Sequence, residues 1–179
     1  MTNGVTASPT SEIARLVNDL LKGGKELSEE STGKIVQEIA KLFSVKQDEV
    51  AILQLSTDGK VLKFLHPFKL KQMGSIPLST TNSLAVRTVR EKRPEMINNF
   101  PAQKHPTIFE AVGLDPQKKE REPIQKIISA PLLLDSKPIG VIQISRKGKS
   151  LQTAGADFTI RDLTSLMTTA GMLAKCFKK

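Results

Sequence analysis

The run PIQKIISAPLLLDSKPIGVIQISRK, from Pro123 to Lys147, holds two apolar segments, Ile127 to Leu134 and Ile139 to Ile144, parted by Asp135, Ser136, Lys137 and Pro138. Isoleucine, valine and leucine dominate the segments and turn formers fill the gap, which is the pattern of a β-hairpin. Both arms stay apolar for longer than strict alternation allows. The pair is therefore expected at the centre of a sheet covered on both faces.

The flanking sequence supplies further strands and the covers. Residues 1–10 are small and polar and read as a disordered N-terminus. Residues 11–30 read as an amphipathic helix and linker, with Ile13, Leu16, Val17, Leu20 and Leu21 at helical spacing and a stop at Gly23 and Gly24. A helix of about a dozen residues is marginal alone in water, so its stripe is expected against the domain or a second copy. The domain proper is read as 31–179. It opens with a helix from Ser31 to Phe43, then strands at 48–56 and 61–68 around Asp58-Gly59, a strong hairpin signal. A short strand at 75–78 leads to the N-cap formers Ser79 to Asn82 and a helix from Asn82 to Lys92, ended by Pro94. A strand at 95–99 follows. Residues 100–123 hold four prolines, look helical only at 105–113, and are expected to form a lid. After a loop at 148–155, a long helix runs from Asp157 to Phe177. Its Leu163, Leu166, Ala170, Leu173 and Phe177 alternate steps of three and four, as in a coiled-coil seam, although a helix lying on a sheet shows a similar stripe. Leu16, Leu20, Leu163, Leu166, Ala170 and Leu173 are the expected homodimer interface.

The 179 residues suit one domain, 39% hydrophobic and 25% charged. Tryptophan and tyrosine are absent, so the core must be aliphatic. Cys176 is the single cysteine, which rules out an internal disulfide or a multi-cysteine metal site and fits a reducing compartment. Neither a signal peptide nor an apolar run of membrane-spanning length is visible, and a cytoplasmic protein is expected. Basic residues outnumber acidic ones by 27 to 18, and all of the excess lies after residue 50. No block of like charge or interleaved aromatics accompanies it, so a soluble surface is the reading and neither nucleic acid nor membrane is an expected partner.

The order of elements is an α+β plan. From about Ser31 to Phe177 it resembles a GAF domain, the small-molecule sensory module of signalling proteins. NSLAVRTVREKRPEMINNF (82–100) is like the family's helix and following strand, IISAPLLLDSKPIGVIQISRK (127–147) like its last hairpin, and FTIRDLTSLMTTAGMLA (158–174) like its closing helix. The resemblance implies a PAS- and profilin-related antiparallel sheet of five to six strands between helical layers. It also implies terminal helices on one face, a ligand pocket under the lid on the other, and dimerisation through those helices. No kinase, cyclase, phosphodiesterase or DNA-binding segment is seen.

No catalytic set stands out, and an enzyme is not expected. The free methionine sulfoxide reductases that share the GAF plan need a nucleophilic and a resolving cysteine, whereas Cys176 stands alone. A covalently held tetrapyrrole would need a cysteine at the pocket. Asn98, Asn99 and Phe100 only echo the NKxxFxxxDE motif of cyclic-nucleotide members. His66 and His105 each precede proline and lack the partners of a metal site; no GxSxG or phosphate loop occurs. By analogy the pocket lining is expected from Ile97, Asn99, Phe100, Phe109, Ile128 and Ala130, with Ile128, Ala130 and Leu132 sharing one face of their strand. Arg87 and Arg90, three apart on a helix, could meet an anionic ligand or simply face solvent. The expected function is a sensory or regulatory domain that binds a small molecule under a lid, signals through terminal-helix dimerisation and acts on a signalling partner. The alternative is a degenerate domain that binds no ligand and serves as an interaction or dimerisation module. The ligand's identity cannot be read from these residues.

Overall fold

The chain builds, in order, α1 (Pro9–Lys22), α2 (Glu29–Phe43), β1 (Val50–Leu55), β2 (Val61–His66), the one-turn α3 (Phe68–Lys71), β3 (Ser75–Pro77), α4 (Leu84–Glu91), β4 (Glu95–Ile97), β5 (Ile124–Leu134), β6 (Lys137–Lys147) and α5 (Ile160–Ala174). The computed structural model describes residues 7–102 and 122–177. Among them six strands form one antiparallel sheet in the order β3-β2-β1-β6-β5-β4. The β5–β6 hairpin is thus central, as its two-sided apolar pattern requires.

Its turn is shorter than the composition suggested. Only Asp135 and Ser136 lie in it, at φ 50° and 63°, the two left-handed positions of a tight type I′ connection. Lys137 and Pro138 already belong to β6. Pro138 is tolerated there because β1 pairs with β6 only from Gly140 to Ile144, so no ladder bond to β1 is lost. Pro131 sits in β5 for the same reason: β4 pairs only with residues 127–129.

Side-chain oxygens place the helix starts. Ser8 caps α1, with Pro9 in its first turn; Pro9, read from sequence as part of the disordered start, is therefore helical. Thr10 is helical as well, and residues 1–6 of that expectation lie outside the described residues. Ser28 and Ser31 form a capping box for α2, and Thr159 and Asp162 one for α5. Ser83, rather than Asn82, caps α4. The expected helix at 105–113 lies outside the described residues, and α3 was not foreseen.

Successive strand residues point to opposite faces, and this divides the core. Val50, Ile52, Ile128, Ala130, Leu132, Ile142 and Ile144 meet α1, α2 and α5 on one face. Leu53, Leu62, Phe64 and Val141 meet Leu70 of α3 and Ala85, Val86 and Val89 of α4 on the other. Leu84, Phe100, Ile124 and Ile127 extend that second face toward β4.

The expected dimer seam is used within the chain. Leu166, Ala170 and Leu173 are buried against the chain's own sheet, and Leu16, Leu20 and Leu163 pack half-buried on the same cluster. Steps of three and four are simply the face that a straight helix presents to a sheet. The outward side of α5 instead carries Ile160, 69% exposed, and Met167, 50% exposed. Among the described residues no helix is long and apolar enough to cross a membrane.

Candidate functional site

On the sheet face away from the terminal helices lies a cavity of about 40 Å³. Among the described residues, Leu53, Phe64, Leu70, Ile76, Ile124 and Ile127 form its apolar wall, and Glu49, Gln143, Ser145 and Lys147 lie on its polar side. It has room for roughly two or three water molecules. Two larger grooves, of about 250 Å³ beside Leu27 and Cys176 and about 370 Å³ beside Thr80 and Arg90, have mostly polar linings.

What distinguishes the smaller space is the polar row beside it. Gln143 Nε2 donates to Ser129 Oγ at 3.2 Å, Ser129 and Thr88 hydroxyls lie 2.8 Å apart, and Thr88 Oγ1 donates to the Leu84 carbonyl at 2.8 Å. Each hydroxyl has one proton. With the Thr88 proton given to Leu84, Ser129 must donate to Thr88, and the chain runs in one direction from Gln143 to α4. Ser129 and Thr88 are fully buried. Two residues along β6, Ser145 Oγ donates to the Glu49 carbonyl at 3.3 Å. The Glu49 carboxylate accepts the backbone N–H of Lys46 and of Lys147, both at 2.8 Å, tying the turn before β1 to the end of β6. Neither serine hydrogen-bonds a histidine or a carboxylate oxygen among the described residues. The arrangement suits orienting a small polar molecule, not activating a nucleophile.

The described residues among those expected to line the pocket fall on different faces of the sheet. Phe100 is buried and Ile97 half-buried on the cavity side, with Ile124 and Ile127. Asn99 is exposed. Ile128 and Ala130 share a face with Leu132 as expected, but it is the face under the terminal helices. Phe109 and most of the expected lid lie outside the described residues. Arg87 is engaged by Glu95, with Nε–Oε1 2.6 Å and Nη2–Oε2 2.8 Å. The unforeseen residues Ser129, Gln143 and Ser145 did leave a signal, since each interrupts an otherwise apolar strand on the same parity.

Asn98 has a structural task. Its Nδ2 donates to the Phe158 carbonyl at 3.0 Å and its Oδ1 accepts the Phe158 N–H at 2.8 Å. The Arg146 guanidinium lies 4.6 Å from the Phe158 ring centroid and donates to the Phe43 carbonyl at 3.3 Å. Buried Lys126 reaches the Gly155 carbonyl and the Asp157 carboxylate, each at 2.7 Å. The approach to α5 is thus held from three sides.

His66 Nδ1 lies 2.8 Å from the Val50 carbonyl, an acceptor only, so Nδ1 carries the proton. Burial pushes its pKa below the ordinary histidine value, more than the Val50 carbonyl and nearby Asp48 push it up. The folded state therefore binds fewer protons than the unfolded chain below about pH 6.5, and stability present above that pH must fall as pH drops through it. Urea unfolding at steps from pH 7.5 to 5.8 should show this decline for the native protein, and His66→Gln should flatten it; an unchanged slope in the variant would rule His66 out as the source.

Cys176 is buried in the terminal-helix cluster, across the sheet from the cavity, and burial pushes its thiol pKa up. Among the described residues no group of three His, Cys, Asp or Glu side chains could hold a metal ion.

A family model described as the GAF domain matches residues 29–177. No curated protein sequence matches the chain. Among solved structures, the GAF domain of an Acinetobacter phosphoenolpyruvate-protein phosphotransferase is similar at 18% identity and TM-score 0.64, over 98% of this chain and 93% of that one. Residues 122 to 287 of a methyl-accepting chemotaxis protein are similar at 12% identity and TM-score 0.67, over 92% and 93%. A free methionine-R-sulfoxide reductase from Neisseria meningitidis, in complex with its substrate, is similar at 14% identity and TM-score 0.61, over 99% and 94%. At these identities the likeness is one of fold.

Proposed function

The chain belongs to the GAF domain family, and on that premise we propose that it is a non-enzymatic sensory domain of a cytoplasmic signalling system. It binds a small molecule at the cavity beside β6 and passes its state to a signalling partner through the terminal helices of a homodimer. The observation that carries this reading is the buried Gln143–Ser129–Thr88 chain beside an apolar cavity. Gln143 is the member of this row that lines the cavity, and its bond to buried Ser129 fixes the amide in place beside the space. The space suits a compact, hydrogen-bonding molecule. A nucleotide or tetrapyrrole needs the 300–1,000 Å³ or so of an ordinary ligand pocket.

Free methionine-R-sulfoxide reductases share the fold, but cysteine chemistry at this cavity would need a thiol there, and Cys176 lies across the sheet. The cavity's small size favours one second reading, a domain that binds no ligand and serves as an interaction or dimerisation module. Native mass spectrometry of protein from its own host and a thermal-shift panel of amino acids, nucleotides and tetrapyrroles separate the two. A ligand at about 100 times its Kd should stabilise the fold by about 2.7 kcal/mol, and Gln143→Leu should abolish the shift while keeping the fold. No retained mass and no shift would leave the interaction module.

A further inference from the structure

We propose that the β2–α3–β3 edge of the sheet is a contact site for a bilayer surface bearing anionic lipid. Residues 59–90 contain Lys60, Lys63, Lys69, Lys71, Arg87 and Arg90 and no aspartate or glutamate. All six basic side chains are exposed. The stretch is bounded by Asp58, which accepts from Ser56 and the Lys60 N–H, and by Glu91, which pairs with Arg93, while Arg87 is held by Glu95, so the charge of the first half rests on its four lysines.

The fold gathers its first half at one end of the sheet. β3 is an edge strand paired only with β2, and α3 joins the two. Leu70 anchors α3 in the core with Leu62 and Phe64. Phe68, 38% exposed, and Met73, 60% exposed, remain outside with Lys69 and Lys71. The Lys71 ammonium lies 5.6 Å from the Phe68 ring centroid.

A projecting aromatic and methionine flanked by lysines, with no acid among them, is complementary to the boundary of an anionic bilayer. The apolar side chains enter the acyl boundary while the ammonium groups stay level with the lipid phosphates. A protein partner fits less well. A stable interface covers about 800 Å² per partner, whereas the only exposed large hydrophobic side chains of this stretch are Phe68 and Met73. Strand addition is opposed too: the Leu78 N–H bonds the carbonyl of Lys60, the residue before β2, so by alternation Pro77, which lacks an N–H, faces the free edge. The lack of a spanning helix bears on crossing a bilayer, not on resting against it.

Co-sedimentation of the full chain with phosphatidylcholine vesicles, with and without phosphatidylglycerol, tests the proposal. Binding should require phosphatidylglycerol and weaken with salt. Each lysine near an anionic surface strengthens partition about fivefold, so Lys69→Glu with Lys71→Glu should lower it by more than about tenfold. Lys22→Glu with Lys25→Glu, the same charge change on the opposite cover, should leave it within about twofold. Met73→Ser and Phe68→Ser should each cut binding several-fold with far-UV circular dichroism unchanged; Met73, the more exposed, keeps the test open if Phe68→Ser perturbs the fold. The idea is overturned by no partition into anionic vesicles at low salt. It is equally overturned by equal losses in both charge pairs with no effect of Met73→Ser, which would be net-charge attraction alone. Capture of an acidic protein through Phe68 and Met73 without vesicle binding would also overturn it.

Discussion

Replacing Gly140 by alanine is expected to remove at least about 3 kcal/mol of stability, a large share of the 5–15 kcal/mol typical of a domain. A Cβ on Gly140 would lie 2.2 Å from the Leu53 carbonyl oxygen and 3.1 Å from Leu132 Cδ1. Leu132 can turn aside. The carbonyl cannot, because it belongs to β1, which is in register with β6 at Gln54 and Gly140. Relief requires β1 and β6 to part at a point where β6, on its other side, meets the irregularity of β5 between Leu132 and Leu133. Urea unfolding should show a large drop in midpoint for Gly140→Ala, and Gly140→Val should fail to fold. A Gly140→Ala midpoint close to the native value would mean that β1 and β6 are not joined as described.

Leu166→Glu carries the second large effect. Leu166 is 0% exposed within a single chain, in the cluster shared by α5, β5 and the N-terminal helices. A carboxylate there is neither paired nor hydrated, and the loss should be about 4 kcal/mol or more, enough to abolish folding at ordinary temperatures. The neighbouring Met167, half exposed, gives the contrast. Met167→Glu should keep the native circular dichroism and melting temperature while dissociating the proposed homodimer in sedimentation velocity. A folded, monomeric Leu166→Glu protein would show that α5 does not lie on its own sheet.

The sheet centre and long helices were legible because their signals are long: eleven-residue arms around a turn, and apolar stripes bounded by serine or threonine caps. The turn was read two residues too long because Lys137 and Pro138 resemble loop residues, and only the reach of β1 shows why a proline can stand in β6. α3 is a single turn, too short to show a period. The site suffered from a different ambiguity. Strands apolar on both faces carry no phase, so nothing in Ile128 and Ala130 said which helices cover them. The phase is held by Ser129, Gln143 and Ser145, which share one parity and mark the cavity side. The α5 stripe was ambiguous in principle, since a partner helix and a sheet select the same positions.

The paired bonds between Asn98 and Phe158 span sixty positions of chain and join two parts with separate duties. β4 has only three residues and one neighbouring strand, and on its own would fray first. Asn98 rivets it to the root of α5, one residue beyond Ile97 and two before Phe100, which clusters with the cavity residues Ile124 and Ile127. Since one amide side chain makes both bonds, neither end can slip past the other without losing both together. The β4 end and the helix root are therefore held as a single mechanical part, and in the proposed sensor this is the hinge pin that binding at the cavity and displacement of the terminal helix would share.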